Sequence, residues 1–142
     1  MTAAQTELSI DTRGSGLYEF TDGVIAWVAQ EARSGPALLT VFIRHTSASL
    51  LIQENADPDV RRDLDNYFAR AVPAADDPSM DYLRHRSEGP DDMPAHIKSA
   101  LTATTLSIPV RDRRLLLGTW QGLYLFEHRA KAHTRKIVLH LA

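Results

Sequence analysis

Four of the six histidines in this chain stand beside groups that bind metals or move protons. His45 opens His45-Thr46-Ser47, His85 lies three residues before Glu88, His96 follows the pair Asp91-Asp92, and His128 sits between Glu127 and Arg129. Neutral imidazole and carboxylate are donors that zinc and related ions take, three or four at a time, and a catalytic site leaves one position open to water or substrate. Cysteine is absent, so a metal here has to rest on His and carboxylate, and a thiol nucleophile, a zinc ribbon and a disulfide framework are excluded. Spacing alone spells no metal motif: ten residues separate His85 from His96, unlike the one-turn His-x-x-x-His pair. Singly, each histidine is about as well explained by helix capping, pairing with a nearby acid or simple exposure. Together, the four are harder to explain that way.

Glu88-Gly89-Pro90-Asp91-Asp92 places three carboxylates within five residues, just before a helix start where backbone N–H groups lack partners. One acid is expected to cap that helix, and another to orient a ligand histidine or take a proton from a substrate. Gln53-Glu54-Asn55 emerges where a strand ends, a common place for ligand contacts, although a turn and a solvated acid explain it too. In Gly118-Thr119-Trp120-Gln121-Gly122 the glycines suit either a tight bend, the commoner role, or close approach of backbone to a ligand. Arg129, Arg135 and Arg114 carry the paired donors that grip phosphate or carboxylate, against the ordinary alternative of surface salt bridges. Ser47 lies two residues after His45 without a Gly-x-Ser-x-Gly elbow, and Gly14-Ser15-Gly16 lacks the rest of a nucleotide loop, so both are set aside.

The elements that must position these groups read as a mixture. Alternation at Leu8 and Ile10 predicts a strand over residues 5–13. Val24, Trp27 and Val28 at helical spacing predict a helix capped by Thr21 or Asp22 and ended by Gly35-Pro36. Strands follow over residues 37–43 and 49–54. Asp57-Pro58 then starts a helix with Val60, Leu64, Tyr67 and Phe68 on its apolar face. Residues 73–90 read as a loop, and Met93-Pro94 as the start of a shorter helix towards Thr102, capped by Asp91 or Asp92, with His96 in its first turn. Strands over 105–110, 115–119, 123–127 and 135–141 close the chain, and without regular β-α alternation the class is α+β.

At 142 residues, with 44% hydrophobic and 24% charged side chains, the chain has the size and balance of one folded domain spanning residues 1–142. A net charge of −2 excludes the broad basic face of a nucleic-acid binder but is compatible with a small phosphorylated ligand. No basic-then-apolar leader and no apolar run of about 18 residues occur, so no membrane partner is expected and a cytoplasmic location follows by default.

The motifs His45-Thr46-Ser47-Ala48-Ser49-Leu50, Glu54-Asn55-Ala56-Asp57-Pro58, Glu88 to Lys98, Gly118-Thr119-Trp120-Gln121-Gly122 and Glu127-His128-Arg129 together resemble, in order, those of the YjbQ family. The resemblance implies a β-sandwich-like core of mostly antiparallel strands with flanking helices, a homotrimer, and a site near subunit contacts that gathers the signature histidines and acids. It also implies a secondary thiamine-phosphate synthase activity, joining an aminopyrimidine diphosphate to a thiazole phosphate. On this reading His85, His96 and His128 are ligands of a divalent metal, zinc or magnesium, or of phosphate. His45 shuttles protons, and Glu88, Asp91 and Asp92 are the catalytic and orienting acids. Ser47, Glu54, Asn55, Trp120, Gln121 and Arg129 contact the substrate, while His133 and His140 fall outside the signatures. A non-catalytic binding module for a phosphorylated metabolite or metal, and a metal-dependent hydrolase, are the alternatives. The chain departs from the family pattern at Asp112-Arg113, where a glycine usually precedes the arginine matching Arg114.

Overall fold

In the last strand every second side chain (Arg135, Ile137, Leu139 and Leu141) is buried, as the two-residue period of a strand with one covered face requires. The computed structural model, which describes residues 2–142, builds two antiparallel sheets on such patterns. The elements are β1 (Ala4–Thr12), β2 (Gly16–Glu19), α1 (Thr21–Glu31), β3 (Pro36–Ile43), β4 (Ala48–Glu54), α2 (Pro58–Ala71), α3 (Asp92–Leu101), β5 (Thr105–Arg111), β6 (Arg114–Leu115), β7 (Gln121–Glu127) and β8 (His133–Leu141). One sheet has the order β1-β8-β3-β5-β6 and the other β2-β7-β4. Leu39, Val41, Ile108, Ile137 and Leu139 from the first sheet share one core with Ala48, Leu50, Leu123 and Leu125 from the second and with Val24 and Val28 of α1. The α+β, sandwich-like expectation holds.

The smaller sheet is covered on its other face as well. Phe68 of α2 meets Phe126 of β7 edge-on, with centroids 5.3 Å apart, and Arg61 donates a hydrogen bond to the Tyr124 hydroxyl. Ser99 of α3 donates to the Ala48 carbonyl of β4. β7 is therefore buried on both sides from Gly122 onward, which explains why it reads as a continuous apolar run without alternation.

Asp57 caps α2 as expected, its side chain accepting from the Asp59 N–H with Pro58 at the first helical position. Elsewhere the caps differ. Phe20 precedes α1, while the Thr21 hydroxyl accepts the Leu123 N–H and donates to Glu19, tying the helix to β7. Asp91 stands at the start of α3 with no side-chain cap bond, because its carboxylate is drawn to Arg129 and the Ala130 N–H. As α3 begins at Asp92, His96 falls in its second turn, not its first. Tyr67 is 67% exposed rather than part of a buried face. The strand expected over residues 115–119 ends at Leu115, because the chain turns at Gly118 to bond Gln121. The four-residue β2 went unforeseen.

Candidate functional site

The site grows from α3. Asp92 and His96 are one helical turn apart and so face the same side, and the loop before the helix lays His85 against them. The Asp92 Oδ2 lies 2.6 Å from His85 Nε2 and 3.2 Å from His96 Nε2, and one donor atom from each of the three residues fits within 4.8 Å of the others. The Nδ1 of His96 is 3.0 Å from the Thr46 carbonyl oxygen. A carbonyl only accepts, so Nδ1 carries a proton and Nε2 is the nitrogen that faces Asp92. In a neutral ring that nitrogen presents a lone pair to a carboxylate oxygen, an arrangement that needs a proton or a cation between the two.

Asp92 itself is buried, and its other oxygen takes 2.8 Å contact from Arg129. Burial alone would raise its pKa, but the hydrogen bond from His85 and the charge of Arg129 outweigh it and hold the carboxyl below its usual value. Arg129 is a three-way clamp: Nε donates to Asp91, one terminal nitrogen to Asp92 and the other to the Glu88 carbonyl. The Glu88 carboxylate reaches within 3.7 Å of His85. The loop that carries His85 is stapled by its neighbour Arg86, whose guanidinium donates to the carbonyls of Leu83, Ala75 and Met80.

Arg129 is placed in turn by a buried ion pair at the end of the core. Glu127, fully buried at the end of β7, accepts from Arg135 and from the Thr12 hydroxyl, and from the backbone N–H groups of His128 and Arg129. Burial would raise the pKa of Glu127, but these donors together lower it. Arg135 also donates to the Ser47 hydroxyl and carbonyl, so Ser47 is engaged in holding the sheet end together. His45 accepts the Lys136 N–H at Nε2 (2.7 Å), its Nδ1 faces an Arg135 guanidinium nitrogen at 3.5 Å, and burial together with the charge of Arg135 lowers its pKa.

His128, expected as a third imidazole ligand, is not among the residues whose donor atoms converge. It is buried against Phe126 and 2.9 Å from the Ser49 hydroxyl, with Nδ1 lacking any hydrogen-bond partner among the described residues. Burial, followed by the nearby charge of Lys98, pushes its pKa down to about 3.

Glu54, Asn55, Trp120 and Gln121 are gathered at the opposite end of β4, where the Asn55 N–H bonds the Trp120 carbonyl and Trp120 stands exposed. Seven residues of strand separate the two groups, about 20 Å at ~3.3 Å per residue. Reading the sequence alone missed Thr46, Arg86 and Glu127. A glutamate closing an unbroken apolar run was the available signal for Glu127; nothing local marks the other two.

With this geometry in view, the comparisons with known proteins are unequivocal. The family model described as "UPF0047 protein YjbQ-like" matches residues 6–142. The chain belongs to the YjbQ/UPF0047 family. It is 51% identical to UPF0047 protein sll1880 of Synechocystis over 97% of this chain and 90% of that one. Its identity to the UPF0047 protein YjbQ of Escherichia coli O157:H7 is 40%, over 94% of each. Among solved structures, a YjbQ/UPF0047 protein from Clostridium acetobutylicum superposes with a TM-score of 0.81 at 32% identity, over 94% of this chain and 97% of that one. The conserved hypothetical protein TT1486 of Thermus thermophilus gives 0.79 at 32%, with the same coverage. Among the described residues of this YjbQ/UPF0047 chain no helix is long and apolar enough to cross a membrane.

Proposed function

We propose that the chain is a metal-dependent enzyme acting on a small phosphorylated substrate, with His85, Asp92 and His96 as the protein ligands of a divalent ion. One observation carries this reading: His96 is turned by Thr46 so that its free nitrogen, His85 Nε2 and one oxygen of Asp92 converge. A hydrogen bond from the far nitrogen of an imidazole to a carbonyl is how metal-bound histidines are usually oriented. Two imidazoles and a carboxylate suit zinc better than magnesium, which prefers an all-oxygen shell. The His85 side chain is 43% exposed, so the cluster is reachable from solvent on that side.

The resemblance to the YjbQ family, through the secondary thiamine-phosphate synthase activity it implies, favours transfer of an aminopyrimidine group from its diphosphate to a thiazole phosphate. When bound, the ion would stabilise negative charge on the departing diphosphate. Arg129 holds Asp91 and Asp92 in place, and with all three of its nitrogens engaged it acts as a positioning residue. Glu88 is the exposed acid beside the cluster and the group best placed to exchange a proton there. The same resemblance supports a homotrimer in the cytoplasm, an assembly that light scattering measures directly.

The test is elemental analysis of untagged, zinc-loaded and dialysed protein together with an assay for product formed from the two phosphorylated substrates. The wild type should retain zinc and turn over, and H85A and H96A should lose both. Retention of metal and turnover by both variants would end the reading. Saturable binding of substrate without product would make the chain a binding module, and release of inorganic phosphate or diphosphate with water as the acceptor would make it a hydrolase.

A further inference from the structure

A cavity lies about 20 Å along β4 from the His85–Asp92–His96 cluster, between α1, the β5–β6 hairpin and the Gly118–Gln121 turn. Its volume is about 620 Å³, within the range of small-molecule sites. Ile25 and Ala29 of α1 and Leu115 and Leu117 after the hairpin give it apolar walls, and Ile25 is 47% exposed there.

Glu19, Asp22 and Arg114 are solvent-exposed charges that line this cavity, and of these Glu19 is held in place from behind. Glu19 is fixed by a relay in which the Leu123 N–H donates to the Thr21 hydroxyl, and that hydroxyl donates to Glu19 Oε2 at 2.7 Å. Oε1 has no hydrogen-bond partner among the described residues. The carboxylate lies so close over Gly122 that a Cβ there would come within 2.6 Å of Oε2, so the absence of a side chain at 122 makes room for it. A carboxylate held by its own support, with one oxygen left over, is pre-organised to receive a donor.

The opposite charge comes from the hairpin. Asp112 and Arg113 both adopt left-handed backbone angles (φ 50° and 69°), which a two-residue hairpin turn demands and which non-glycine residues resist. The turn is held by Asp112 accepting the Gly35 N–H and by Arg113 donating to the Ala29 carbonyl of α1. Arg113 is thereby consumed in building the wall. Arg114, the next residue, lines the cavity, and its side chain makes no ion pair or hydrogen bond among the described residues. Asp22, at the start of α1, likewise lines it without a partner. Charges of both signs thus face one cavity without neutralising each other, and the strain of the Asp112-Arg113 turn is spent on keeping its wall in place.

We infer that this cavity is a binding site for a small zwitterion, with an anionic group (a phosphomonoester or a carboxylate) at Arg114, a protonated nitrogen at Glu19 and Asp22, and an apolar or aromatic body between Ile25, Leu115 and Leu117. The site is separate from the proposed metal cluster and does not depend on it.

The inference is tested by calorimetric titration and amide NMR of the full chain with pyridoxamine phosphate as the probe. Pyridoxamine lacks the anion, pyridoxine phosphate lacks the amine, and L-phenylalanine offers a carboxylate in place of the phosphate. Saturable binding of pyridoxamine phosphate or L-phenylalanine is expected, with shifts at residues 118–121, and whichever is tighter identifies the anion. R114M and E19Q should each weaken the zwitterion about tenfold, the loss of one charge-assisted hydrogen bond. R114M should leave pyridoxamine unchanged, and E19Q should leave pyridoxine phosphate unchanged. H96A should bind the zwitterion like the wild type. No saturable binding of either zwitterion, affinity indifferent to R114M and E19Q, or affinity lost in H96A would overturn the inference; the last would move the ligand to the metal cluster without touching the reading of that cluster.

Discussion

Asp92 and His96 face each other across one turn of α3 with 3.2 Å between carboxylate oxygen and imidazole nitrogen, while the other nitrogen of the same ring is spent on Thr46. This fixes which atom of His96 is available. Nitrogen-15 NMR of labelled protein should show Nδ1 protonated at every stage of a zinc titration, with only the Nε2 resonance moving as metal enters. A neutral ring protonated on Nε2 in the zinc-free protein would contradict the orientation.

Arg129 is 16% exposed in its side chain and satisfies one oxygen of the buried Asp92. Removing it leaves a buried carboxylate short of a cation, a change that costs about 3–5 kcal/mol in comparable buried pairs. R129A should lose stability on that scale in urea titration, and R129K should recover only part of it, because an ammonium cannot span Asp91, Asp92 and the Glu88 carbonyl at once. Full recovery with lysine would show that charge alone matters.

His128 makes stability depend on pH. Its folded pKa is depressed to about 3 from 6.5, so the unfolded chain binds this proton first as pH falls. The sign follows: stability is full above about pH 6.5 and declines from there down to about 3, by about 2 kcal/mol at pH 5. Asp91, Asp92 and Glu127, whose pKa values are lowered, contribute stability that is lost only at more acid pH. Urea midpoints measured at pH 7 and pH 5 should therefore diverge in the wild type and diverge less in H128Q, where the lowered pKa of His45 leaves a residual dependence of the same sign. Equal divergence in both proteins would assign the effect elsewhere.

The Glu127–Arg135 pair has almost no solvent contact, with side chains 0% and 4% exposed. Each single replacement, E127L or R135M, strands its partner's charge in the core and should cost about 3–5 kcal/mol, whereas the double variant should cost less than the two together. Additive losses in a double-mutant cycle would mean that the two side chains act independently.

What could be read from the sequence follows the range of the forces involved. The Asp57-Pro58 start of α2 and the alternation of β8 are local, and both appear where the residues place them. The four residues of β2 carry too little pattern to be seen, and they exist because β7 offers them an edge. At the site, Asp92 and His96 were legible in principle from their one-turn spacing once the helix start is put at Asp92. The Arg129 clamp was not, since it joins groups 37 and 38 residues apart, and a charged triplet such as Glu127-His128-Arg129 looks solvated until both sheets are in place. In that triplet two of three side chains are buried.

The Glu127 carboxylate accepts the amide protons of His128 and Arg129 from inside the core. Those two amides are expected to exchange more slowly than the amides of the loop that carries His85, because their acceptor is held inside the core. The floor beneath the cluster is the better-anchored side of the site. Any breathing that admits a ligand must come from the other wall, the loop that carries His85, where a single guanidinium on three carbonyls is the main restraint.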